Sequence, residues 1–232
     1  MSKKKNENTN LNAFLFILFW LGVLVEVVAL SMKHYQIYGF ARVSLIPILL
    51  IRVFLSPSAR KVNVYIYLFW LFSLAAYALT IFASNTIANL GLEGFTISYL
   101  SLWCYFLRLR NNHNYSHIVF IVMTVLIAST GVLWVYAPEL HQPTFYVVSI
   151  LHFLVLMVMS YSLLSIRRKI PLLPFNAYLL GTIAIFLSNA LYATDALLLH
   201  FRFSIVESLI GLGNGLYLFL ITRGTLKLVK GK

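Results

Sequence analysis

Residues 145–169 read FYVVSILHFLVLMVMSYSLLSIRRK. The first 22 of them carry no Asp, Glu, Lys or Arg, and the last three are all cations. A helix needs about 20 mainly apolar residues to cross the hydrocarbon core of a bilayer. The stretch therefore predicts one membrane span closed by a basic anchor. The run is continuously apolar, not a ten-residue alternation, which favours a helix over a barrel strand.

The same pattern recurs on both sides. Eight segments predict spans: 11–31, 37–55, 62–83, 86–107, 117–137, 145–166, 174–199 and 204–223. Their separators are short and rich in turn formers or charge: Ser56-Pro57-Ser58, Asn85 to Asn89, Asn111-Asn112-His113-Asn114, Pro138 to Pro143, and Arg167 to Pro174. None can hold a soluble domain. The expected architecture is all-α and polytopic, with a membrane domain over 11–223 between a basic N-terminus (1–10) and a basic tail (224–232). Composition agrees. Of 232 residues 61% are apolar and 10% charged, against about 45–50% and about 25% in soluble domains. A soluble enzyme, a nucleic-acid module and a secreted disulfide scaffold are thereby excluded. Cys104 is the single cysteine and lies in an apolar run.

The net charge of +12 has its explanation in topology. If the N-terminus is cytoplasmic and the spans alternate, the inner side receives Lys3, Lys4, Lys5, Arg52, Arg60, Lys61, Arg108, Arg110, Arg167, Arg168, Lys169, Arg223, Lys227, Lys230 and Lys232. The outer side receives Lys33, Arg42 and Arg202. That division, 15 against 3, is the positive-inside rule, and a miscounted span would scramble it. Both termini are expected inside, in the cell membrane. The first apolar run is too long for a cleaved signal and ends in Ala29-Leu30-Ser31-Met32, so it is expected to stay as an anchor.

Ionisable groups in a span cost about 2.5–3.5 kcal/mol each on insertion scales. Glu26 lies about five residues from the outer end of span 1, Glu93 near the outer start of span 4, Asp195 near the outer end of span 7, and Glu207 one turn into span 8. Arg42 is the obvious counter-ion. Glu207, Gly211 and Asn214 share one face of span 8; Ser188, Tyr192 and Asp195 share one of span 7; His152 lies about a third of the way into span 6. An outward-opening polar cavity lined by spans 1, 2, 4, 6, 7 and 8 would gather them. Groups near a helix end can instead snorkel to the interface, and His152 can be a hydrogen-bonded packing residue. His113 and His117 have metal-pair spacing but no third ligand, so no metal site is expected. The Gly211-Leu212-Gly213-Asn214-Gly215 run admits close helix approach.

Phe72-Ser73-Leu74-Ala75-Ala76-Tyr77 in span 3, Gly91 to Tyr99 in span 4, and Gly181 to Ala193 in span 7, with Phe186-Leu187-Ser188-Asn189 at its centre, complete a pattern. In this order, on eight spans with both ends inside, it resembles the YhhN family of bacterial and animal membrane lysoplasmalogenases. The resemblance covers nearly the whole chain. It implies cleavage of the vinyl-ether bond of a lysoplasmalogen, by protonation of the alkene carbon and addition of water to the oxocarbenium ion. That chemistry wants a protonated carboxylic acid and a group that activates water. The family's two aspartates would fall at Tyr77 and Asn189, its histidine at Tyr99 and its span-8 glutamine at Asn214, so the inherited acid–base set is missing. Two outcomes follow. Either Glu93, Asp195 or Glu207 has taken over catalysis, with Glu26, Arg42, Tyr77, Tyr99, His152, Ser188, Asn189 and Asn214 lining the lipid site, or the protein binds lipid without chemistry. A small-solute transporter is a weaker third. The expected partner is a membrane lipid or lyso-lipid, with no cofactor and no nucleic acid.

Overall fold

A computed structural model describes residues 2–56, 59–82, 85–110, 113–136, 141–194 and 204–231. They form eight α-helices: α1 (Ser2–Ser31), α2 (Tyr35–Phe54), α3 (Val64–Phe82), α4 (Asn85–Leu109), α5 (His113–Tyr136), α6 (His141–Ser165), α7 (Leu172–Thr194) and α8 (Ser204–Lys230). A short 3-10 turn, Ala59–Lys61, precedes α3, and no strand occurs among the described residues. The protein is a multi-pass helical membrane protein. Among the described residues, seven helices are long and apolar enough to cross a bilayer, all but α4.

The exception is informative. At 25 residues, α4 is longer than four of the other helices. It would span about 38 Å at about 1.5 Å per residue, ample for a core of about 30 Å. It falls short on composition, because Gly91, Glu93, Gly94, Thr96, Ser98 and Ser101 dilute its apolar content. Those groups are tolerable because protein surrounds them. The helix packs against α3, α5 and α6, and Thr96, Ser98 and Ser101 are completely buried. A helix shielded by neighbours need not be apolar all round.

The chain divides into two compact units, one of Met1–Val62 with Asn176–Lys232 and the other of Asn63–Phe175. The first holds α1, α2, α8 and most of α7. Small residues bring its helices close, as expected where lipid gives no hydrophobic drive for helix association. Gly215 of α8 faces Val23 of α1, and Gly224 faces the ring of Tyr178 on α7. The Tyr178 hydroxyl donates to Thr225 Oγ1 at 3.2 Å. Phe16, Phe19 and Trp20 of α1 gather around Phe219 of α8, and the Arg52 guanidinium lies over the Phe16 and Phe219 rings.

The second unit holds α3 to α6. Here α3 and α4 meet most closely: a Cβ at Gly94 would stand 2.9 Å from Ala76 Cβ and 3.2 Å from its Cα. Lower on the same seam Ser73 and Ser98 share a hydrogen bond of 2.6 Å, and Ser98 Oγ lies 3.1 Å from the Phe69 carbonyl oxygen. Large apolar side chains face outward on α5 (Ile118, Ile121, Val125) as on α1 (Phe14, Ile17, Leu21, Leu24). In water such surfaces would aggregate; in a bilayer they meet acyl chains.

Helix ends differ from the predicted spans. The basic N-terminal segment is helical from Ser2, and α8 continues through the predicted tail to Lys230. No proline interrupts 224–230, and Gly224 stays helical against the Tyr178 ring, so the backbone hydrogen bonding continues.

Candidate functional site

Polar side chains gather in each unit. In the first, Glu26 of α1 is fully buried and Arg42 of α2 nearly so. Arg42 Nη1 stands 3.2 Å from Glu26 Oε1. The counter-ion expected from sequence is therefore the one in place. Arg42 also donates to the Tyr38 hydroxyl one turn earlier and lies over that ring. Neither Glu26 oxygen accepts a geometrically sound hydrogen bond among the described residues, so charge holds the pair. The carboxylate has room because of Gly211 on α8, where a Cβ would come within 3.3 Å of Oε1.

Three further candidates in this unit bond within their own helices. Ser188 Oγ donates to the Ala184 carbonyl at 2.9 Å, Asn189 Nδ2 to that of Ile185 at 3.0 Å, and Asn214 Nδ2 to that of Ile210 at 2.9 Å. Such i to i−4 bonding is how polar side chains commonly settle inside a membrane helix. Ser188 also lies against Gly213 of α8. Asp195 lies outside the described residues, and for Glu207 only its place in the first turn of α8 is described.

The second unit holds the denser constellation. Glu93, Thr96 and Tyr99 recur every third residue along α4 and so share one face. Each is buried. Thr130 of α5 brings its Oγ1 to 3.2 Å from Glu93 Oε1 and donates to the Ile127 carbonyl at 2.6 Å. The next residue, Gly131, lies so close to the other carboxyl oxygen that a Cβ there would overlap it. One turn along α4, Thr96 Oγ1 stands 3.0 Å from His152 Nδ1 on α6 and 2.8 Å from the Leu92 carbonyl oxygen. The Tyr99 ring centroid is 5.1 Å from that of His152. Tyr77 of α3 packs edge-on against Phe95, with centroids 4.7 Å apart. Towards the other end of the unit, Tyr65 shares a hydrogen bond of 2.8 Å with His117 Nδ1, which gives His117 a packing role.

Two pairs of sequence candidates are thus brought together, Glu26 with Arg42 and Tyr99 with His152 of α6. Glu93 lies on the same face of α4 as Tyr99, one turn from the Thr96 that meets His152. Thr96, Thr130 and Gly131 were not singled out by sequence. Threonine and glycine are ordinary in membrane helices, and only the packing of α4 against α5 and α6 gives them meaning. Among the described residues no cluster of His, Cys, Asp or Glu could hold a metal ion. No protein-family model matches the chain, and neither a curated protein nor a solved structure matches it.

Proposed function

We propose that the chain is a YhhN-like hydrolase of ether or lyso-phospholipids in the cell membrane, with both termini cytoplasmic. The observation that carries this reading is the α4 face in the second unit. There a carboxyl, Glu93, meets the hydroxyl of Thr130 on α5, and an imidazole, His152 of α6, meets that of Thr96, one turn from Glu93 along α4. An acid and a base in one buried strip are what vinyl-ether hydrolysis needs. Glu93 delivers a proton to the alkene carbon and leaves an oxocarbenium ion. His152 takes a proton from water as its oxygen bonds to the cationic carbon. The resulting hemiacetal then breaks its C–O bond to give a fatty aldehyde and a glycerophospho-alcohol, so one water is consumed.

The experiment is release of fatty aldehyde from a lysoplasmalogen by the purified protein, compared with the E93Q, H152Q, D195N and E207Q variants. Loss of a general acid or base costs about 10²–10⁴-fold, and that loss is expected in E93Q and H152Q. Unchanged rates in both would overturn the assignment.

A second reading, lipid binding without turnover, is favoured by one observation. At the positions where the family's aspartates would fall, Asn189 donates to its own helix and Tyr77 packs on Phe95. Neither residue is a useful acid. Co-purified lyso-lipid with no aldehyde from any of a panel of ether lipids would establish that reading in place of the first.

A further inference from the structure

Two threonines each stand between a candidate catalytic group and a backbone carbonyl of a neighbouring helix, and their single hydroxyl protons distinguish donors from acceptors. A threonine hydroxyl has one proton and two lone pairs. Thr96 Oγ1 lies 2.8 Å from the Leu92 carbonyl oxygen and 3.0 Å from His152 Nδ1. A carbonyl oxygen can only accept. If the hydroxyl proton pointed to Nδ1 instead, two oxygens would face each other at 2.8 Å with no proton between them. Both contacts are favourable only if Thr96 donates to Leu92 and Nδ1–H donates to Thr96. In the neutral imidazole the lone pair then sits on Nε2.

The same count applies to Thr130. Its Oγ1 lies 2.6 Å from the Ile127 carbonyl oxygen and 3.2 Å from Glu93 Oε1. The shorter contact takes the hydroxyl proton. The contact with Glu93 is then favourable only if the carboxyl is the donor, that is, if Glu93 is a carboxylic acid and Thr130 accepts from it. Gly131 leaves the other carboxyl oxygen its place against α5.

We propose that Thr96 and Thr130 are positioning residues that set opposite proton states on the two groups, Glu93 as a carboxylic acid and His152 as an imidazole with its basic nitrogen at Nε2. The hydrogen-bond assignment stands on geometry alone; its catalytic meaning rests on the hydrolase reading above. The site is thereby loaded for one direction of proton flow, out of Glu93 and into His152. Backbone carbonyls that cannot titrate hold both hydroxyl protons.

Spectroscopy separates the two levels. In full-length protein labelled with ¹⁵N-histidine, at a pH where imidazoles are neutral, the His152 signal is the one missing from H152Q. Its Nδ1 is expected to be protonated and its Nε2 not. In the infrared, wild type is expected to show a protonated carboxyl band that E93Q removes. T96V should disturb the tautomer, and T130V should shift the carboxyl band as the hydrogen bond is lost, while T96S and T130S retain the wild-type signatures. In the aldehyde assay T96V should lower kcat by about 10²-fold, the low end for losing a general base, with KM little changed. A protonated Nε2, or no carboxyl band attributable to Glu93, overturns the proposal. So does a T96V protein whose His152 tautomer is unchanged. The expected spectra from a protein that releases no aldehyde would uphold the hydrogen-bond assignment and overturn the hydrolase reading.

Discussion

Arg42 is the residue whose loss should be felt most. With Glu26 fully buried beside it, Arg42→Ala leaves an uncompensated charge among apolar helices, a change that costs about 3–5 kcal/mol in buried pairs. Unfolding of the detergent-solubilised protein should show that loss, and the double variant E26L/R42L should recover most of it. A single variant as stable as wild type would show the pair to be idle. Gly131→Ala gives a second case: its new methyl would overlap the Glu93 carboxyl, and overpacking costs about 1–3 kcal/mol. The cost should largely vanish in an E93A background, a coupling that a double-mutant cycle reads directly. Additive losses would mean that the two residues do not press on each other. At this scale the charge pair was legible in the sequence, because Arg42 is one of few cations that the alternation of spans assigns to the same end as Glu26, which has little else to choose in an apolar helix. The threonine contacts were not legible. A helical hydroxyl ordinarily bonds its own preceding turn, and which neighbouring helix also meets it is decided by packing.

Helix packing makes glycines unequal. Gly94 meets backbone and Cβ atoms of Ala76, neither of which can move without shifting α3. Gly22 of α1 meets only the end of the Leu45 side chain on α2, 2.8 Å from where a Cβ would be. Gly94→Ala is therefore expected to destabilise by about 1–3 kcal/mol. Gly22→Ala should be nearly neutral, because the gain in helix propensity of about 1 kcal/mol offsets a rotamer adjustment of about 0.5–1.5 kcal/mol. Thermal unfolding of the two variants side by side checks the contrast, and equal shifts would contradict it. Helix existence was legible almost throughout, because length and apolar continuity are strong signals. Two features were less so. The helical continuation of α8 to Lys230 carries Arg223, Lys227 and Lys230, whose charge reads as the end of a span although the backbone has no reason to stop. The polarity of α4 reads as a weaker span, since the sequence does not reveal that three helices surround it.

Across the whole molecule, apolar composition carried the helical architecture, whereas the division into two units had no sequence signal. That division also limits what depth along a span can say about a site: Glu26 belongs to one unit and Glu93 to the other, although both were placed in the outer halves of their spans. The face bearing Glu93, Thr96 and Tyr99 works inside a bilayer only if α4 crosses it. The direct measurement uses the full chain with its single cysteine removed (C104S) and one cysteine introduced at a time, R60C before α3 and R110C after α4. Each is probed with a membrane-impermeant maleimide in intact cells and in inverted vesicles. If α3 and α4 both cross, the two sites react from the same face, protected in cells and labelled in inverted vesicles. Labelling of R60C and R110C from opposite faces would contradict that crossing and remove the candidate site from the membrane.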